Sequence, residues 1–134
     1  MGKQKKNKIK RSKTRADYED KIKFIKCPMY RTSFYFINAK NGNEYNKISR
    51  TINKNLQDVE WNEVAGGMLT IIDKDDPKFK TYIMWCDVNN YSNLAHEAFH
   101  LAHAILFERG CVLEDQAGEH YAYLISWIID EIRG

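Results

Sequence analysis

The stretch NLAHEAFHLAHAILFERG, residues 93–110, constrains this chain more than any other. Its pattern is helical. Ser92 or Asn93 can cap its start, and Gly110 suits the left-handed position just past a helix end. A helix that stops at Gly110 makes the chain turn, so a second helix can return antiparallel to the first. The spacing predicts that helix over roughly Asp115 to Ile132, with Leu124, Ile125, Ile128, Ile129 and Ile132 as its apolar side. Three of the four histidines, His96, His100 and His103, sit in the first helix, and the fourth, His120, sits in the second.

Upstream, YRTSFYFINA (30–39) is aromatic and β-branched and reads as a strand, followed by the turn signal Asn41-Gly42-Asn43. EYNKISRTINKNLQ places Tyr45, Ile48, Ile52 and Leu56 at helical spacing, an amphipathic helix with a basic outer face. Gly66-Gly67 introduces MLTIID, a short strand, and the polar loop KDDPKF leads to KTYIMWCDV, a second strand; together they predict an antiparallel hairpin. Alternation over 80–88 assigns Tyr82, Met84 and Cys86 to one face and Thr81, Ile83, Trp85 and Asp87 to the other. The order strand, helix, hairpin, helix, helix predicts a compact α+β domain.

At 134 residues the chain fits one domain with a real core. Its basic character is local. Residues 1–15 carry Lys3, Lys5, Lys6, Lys8, Lys10, Arg11, Lys13 and Arg15 and no acid; removing these eight from the chain's 21 basic residues leaves 13 against 18 acids. The expected organisation is therefore a disordered basic tail over 1–15 and a single, mildly acidic domain over 16–134. The tail either binds nucleic acid or another acidic surface, weakly, or only solubilises the chain. It lacks the apolar segment of a secretory signal, and Lys6 stands where a myristoylation site needs Ser or Thr. The longest apolar runs are too short to span a bilayer. Cys27, Cys86 and Cys111 form no C-x-x-C pair and read as free thiols. These features together predict a cytoplasmic protein with no membrane partner.

His96 and His100, four apart on a helix, project from one face at a spacing that one ion can bridge. Glu97 is set around the cylinder from His96, where it can reach a water at the metal without becoming a ligand. This H-E-x-x-H arrangement suits zinc: neutral imidazoles bind the ion, and a carboxylate takes a proton from the water that the ion acidifies. The alternative is a set of histidines satisfied by polar contacts near a helix surface. A catalytic zinc needs a third protein ligand. Glu119 lies on the second helix, which an antiparallel return would bring opposite the two histidines. His103 stands where the metzincin motif has its glycine and Leu106 where it has its third histidine, so that pattern is excluded.

HEAFH followed by EHYA resembles the gluzincin pattern of zinc metallopeptidases, and HEAFH…EHYAYL is similar to small zincin-like proteins encoded by phages and prophages. The resemblance covers about the last forty residues. It implies a minimal zincin-like domain, a small antiparallel sheet packed on an active-site helix and a C-terminal helix. By position it makes His96, His100 and Glu119 the ligands of Zn2+, Glu97 the general base, and Ala122 the small residue between the helices. Tyr123 replaces the aspartate found there in many gluzincins, so another group must orient a ligand imidazole. His120 and Tyr123 are candidate donors to a tetrahedral oxyanion, or packing residues at the helix seam. His103 is an alternative ligand, a supporting group or an exposed polar residue. The resemblance further implies that an edge strand, KTYIMWCDV or its hairpin partner, pairs with an extended substrate, with Trp85 either a subsite wall or core.

The expected function is thus a zinc-dependent hydrolase, by resemblance a peptidase acting on a peptide or protein through a metal-activated water. The alternatives are a metal-stabilised binding protein without catalysis, such as a phage-encoded antagonist of a host factor, and a nucleic-acid-associated SprT-like protease recruited by the basic tail.

Overall fold

The computed structural model describes residues 13–53, 65–72, 80–111 and 118–134. A 3-10 helix, Arg15–Lys21, leads into strand β1 (Ile22–Cys27). The short 3-10 turn Pro28–Tyr30 connects it to β2 (Thr32–Asn38), helix α1 (Gly42–Ile52) follows, and then β3 (Gly66–Ile72) and β4 (Lys80–Cys86). Two helices complete the fold, α2 (Tyr91–Glu108) and α3 (Gly118–Arg133). No helix among the described residues is long and apolar enough to cross a membrane.

The four strands form one sheet in the order β1-β2-β4-β3. β1 and β2 run antiparallel, as do β3 and β4, but β2 and β4 are parallel. The sheet is therefore mixed, not the small antiparallel sheet expected. The connectivity is the reason: β3, the strand after α1, runs opposite to β2, and the reversal between β3 and β4 brings β4 back parallel to β2. β3 then occupies the outer edge beside β4.

β4 is buried on both faces. Ile83 and Trp85 face α1 and join Ile37, Tyr45 and Ile48 in one core, where the Trp85 ring stacks on Tyr45 at 4.7 Å. Met84 and Cys86 face α2 and α3 and join Phe34, Phe36, Leu101, Leu124 and Ile128 in the other. This division matches the alternation over 80–88. It also makes Trp85 core, on the face away from α2, so it walls no subsite there.

Caps set where the helices start. Asn41 accepts the Glu44 N–H at 3.0 Å at the head of α1. Asn90, not Ser92 or Asn93, caps α2, its side chain accepting the Asn93 N–H at 3.1 Å. Of Asn90, Ser92 and Asn93 the earliest takes the cap, because Asp87 O accepts the Asn90 N–H and fixes the turn there. Gly110 ends the helix in the left-handed region at φ 77, as its position predicts. Along the sheet, Lys21 pairs with Glu44 at 2.7 Å, and Lys23 Nζ donates to the Ile132 carbonyl at 2.6 Å, tying β1 to the last turn of α3.

Some expectations fall outside the described residues: the tail over 1–12, the end of the first predicted helix beyond residue 53, and the start of the last one over 115–117. Lys13 and Arg15, at the end of the expected tail, lie over the rings of Tyr18 and Tyr35 at 5.4 and 5.3 Å.

The pair of glycines that opens β3 is sterically required. A Cβ on Gly67 would stand 2.7 Å from Nε1 of the buried Trp85 ring; one on Gly66 would meet the Trp85 carbonyl at 3.0 Å and Glu97 Cγ at 3.1 Å. Gly67→Ala is expected to cost about 1–3 kcal/mol by overpacking. Urea unfolding checks this: the midpoint falls while the slope stays constant.

Candidate metal centre

α2 is apolar over more than half its circumference, because Leu94, Ala98, Leu101, Ala102, Ile105 and Leu106 all turn toward the sheet and α3. Its polar residues divide accordingly. Glu97 is on the buried side, with its side chain 9% exposed, while His96, one residue earlier, is 66% exposed on the outer side. His100 is one turn on from His96, and the two Nε2 atoms stand 3.1 Å apart. Glu97 Oε1 lies 3.9 Å from His96 Nε2.

The spacing of the imidazoles fits an ion. Two nitrogens bound at zinc distances in a tetrahedral site are separated by about 3.3 Å. The rings are steeply inclined, with centroids 4.7 Å apart and planes at 75°, so their nitrogens converge while the rings do not stack. Both side chains face outward and are exposed among the described residues.

Glu97 is placed differently. Burial raises its pKa above the ordinary value of 4.5, and the neighbouring His96 and His100 pull it back only in part. A carboxylate with raised proton affinity, beside a pair of outward imidazoles, suits a group that takes and returns a proton. The approach of β3 creates that environment, because Gly66 packs against Glu97 and Cys86 where any side chain would obstruct. Burial first, then the charges of Glu97 and Asp87, pushes the Cys86 thiol up to about 12, so it stays protonated in the metal-free protein at neutral pH.

The remaining candidates are not gathered around the pair. Among the described residues no three His, Cys, Asp or Glu side chains are grouped so as to hold one ion. Glu119 is exposed in the first turn of α3, as are His120 and Tyr123 nearby, and none of the three shares a hydrogen bond with His96, Glu97 or His100 among the described residues. Ala122 is exposed, not at the helix seam; Tyr121 and Leu124 fill the seam instead. His103 points outward and belongs to an aromatic group, with its ring parallel to Phe99 (6° between planes, 6.3 Å) and 6.0 Å from Phe107.

Two features of the site were not read from the sequence. The first is Gly66. Its role depends on β3 passing beside α2, and nothing local to a glycine pair signals that contact. The second is Tyr121, whose ring is 6.2 Å from Phe99 and whose buried hydroxyl has no hydrogen-bond partner among the described residues. Such a group is uncommon in a native interior. Its place two residues after Glu119 was the available signal.

No protein-family model matches the chain, and no curated protein or solved structure does. The resemblance to zincins therefore rests on the residues of α2 and α3 alone.

Glu97 makes the metal-free protein pH-sensitive in a definite direction. Because its carboxyl holds a proton more tightly in the folded chain, its contribution favours folding below the ordinary carboxylate range. That contribution is lost as pH rises from near 4.5 through the raised value. Glu97→Gln should lack this fall and be the more stable protein at pH 7 in the presence of a chelator; a wild type at least as stable there would contradict the buried-carboxylate account.

Proposed function

We propose that the protein is a zinc-dependent hydrolase acting on peptides, with Glu97 as its general base. The observation that carries this reading is the convergence of His96 and His100 Nε2 to 3.1 Å on the open face of a helix whose buried side presents a desolvated glutamate. Structural histidines have no need of such convergence, since two uncharged imidazoles gain only one hydrogen bond from it.

His96 and His100 would hold the ion, with Glu119 on the neighbouring helix as the third donor by resemblance to gluzincins. Zinc bound there would lower the pKa of a water to near neutrality and polarise a carbonyl. Glu97 accepts the proton of the attacking water at a carboxylate oxygen. It then carries that proton to the leaving amine, which cannot depart as an anion. Its partial burial excludes bulk water from this transfer. Among the described residues β3 is the end strand of the sheet with no neighbour beyond it, and its first residue packs on Glu97. An extended peptide adding to that edge would pass the reacting groups, and the backbone hydrogen bonds of strand addition would hold it there. In this arrangement β3, the hairpin partner, takes the role, since β4 lies inside the sheet.

Metal analysis of purified protein is expected to give one equivalent of zinc, lost in His96→Ala, His100→Ala and Glu119→Ala. Glu97→Gln should keep the metal and the fold while peptide hydrolysis falls by about 10²–10⁴-fold. Full activity in Glu97→Gln would sink the mechanism, and a metal-free wild type would sink the site.

A further inference from the structure

The end of the sheet away from Glu97 carries a second candidate site. A cavity of about 440 Å³ opens where the C-terminal end of α2 meets the starts of β2 and β4. This size is within the range of small-molecule pockets. Its charged lining is Arg31, Lys80 and Arg109 against a single acid, Glu108. Glu108 is already paired with Lys80. The cavity therefore has an excess of two positive charges, in a domain body whose acids otherwise outnumber its bases.

The groups are held in place. Arg109 donates from its guanidinium to the Tyr30 carbonyl, which fixes its stem across the mouth. Tyr82, buried in the wall, has a phenol kept protonated by burial, so it is a donor. The negative end of α2 is muted, since the N–H groups of Arg109, Gly110 and Cys111 already satisfy the Leu106 and Phe107 carbonyls. Arg31 is the one non-glycine residue with positive φ among the described residues, at φ 48 and ψ 46. A side chain there costs folding free energy that glycine would not, and such strain gathers at functional positions. The turn after Pro28–Tyr30 asks only for a left-handed residue. It has an arginine instead, aimed at the same cavity as two other cations.

We infer that this cavity binds a small phosphomonoester, with Arg31 and Arg109 gripping the phosphate and Lys80 completing the charge. The excess of two positive charges matches a phosphate monoester near neutral pH, which carries about −1.5 to −2. Arginine forks suit its oxygens. Met29 and Ile105, the apolar part of the lining, would face the body of the ligand. The site is separate from the histidine pair and does not depend on the reading of α2 as a metal helix.

The test uses phenyl phosphate as probe, titrated into the full-length protein by calorimetry and followed by ³¹P NMR, with succinate and chloride as controls. Arg31→Gly is expected to weaken binding at least tenfold while the thermal midpoint stays level or rises, because strain is relieved as the ligand group is lost. Lys80→Ala should weaken it further, since it removes a cation and unpairs Glu108. Glu108→Gln should move the other way and tighten binding severalfold. Phenyl phosphate affinity unchanged in Arg31→Gly, or unchanged in Glu108→Gln, would overturn the proposal. So would succinate binding as tightly as phenyl phosphate, or an oligonucleotide without terminal phosphate competing equally well.

Discussion

The burial of β4 on both faces governs this structure. A strand with Met84 and Cys86 on one side and Ile83 and Trp85 on the other cannot rest on solvent, so both faces of the sheet must be covered. α1 covers one and the α2–α3 pair covers the other. Everything functional follows from which side α2 takes. Packing against Met84 and Cys86 sets its rotation, and a turn of one residue position about the helix axis would carry His96 to the place of Glu97 and Glu97 deeper into the core. The division of the H-E-x-x-H motif into two outward imidazoles and one inward carboxylate is thus a property of the core, with the site inheriting it.

That inheritance explains why one short string can hold two kinds of chemistry. The imidazoles lie toward solvent, with His96 66% exposed, while the carboxylate is buried against the glycine at the head of β3. The basic cavity follows from the same layout. It lies at the opposite end of α2, where Lys80 begins β4 and Glu108 ends the helix, so a single helix links two chemically unlike regions about ten residues apart. The ion pair between those residues fixes the far end of α2 to the sheet as Gly66 fixes the near end.

Much of this was legible in the chain, for identifiable reasons. The alternation of KTYIMWCDV assigned each residue of β4 to its correct face, because side chains of period two leave no ambiguity once a strand is assumed. Gly110 and the apolar side of α3 were equally direct. β1 escaped notice because IKFIKC breaks strict alternation, with its lysines three apart over only six positions, and Phe24 remains half exposed beside Tyr35. The parallel pairing of β2 with β4 was hidden for a different reason: direction depends on a crossover, and no residue of either strand encodes it. Glu119 shows the limit for site residues. Sequence spacing can put it on the helix that returns, but its distance from the histidines depends on the approach of two helices, which Tyr121 and Leu124 control from the seam.

The glycine pair of β3 also decides how its strand is aligned. Gly66 lies opposite Cys86 and Gly67 opposite Trp85. Sliding β3 by one residue in one direction would set Met68 against the Trp85 ring; sliding it the other way would set Ala65 against Glu97. Either shift would also turn every side chain of the strand to the wrong face. Edge strands elsewhere are aligned by greasy and polar residues choosing their sides, yet this one is short and has a strand neighbour on one side only among the described residues. Its alignment is enforced by exclusion: two adjacent positions tolerate nothing larger than hydrogen, and the chain offers only one place with two such residues in succession.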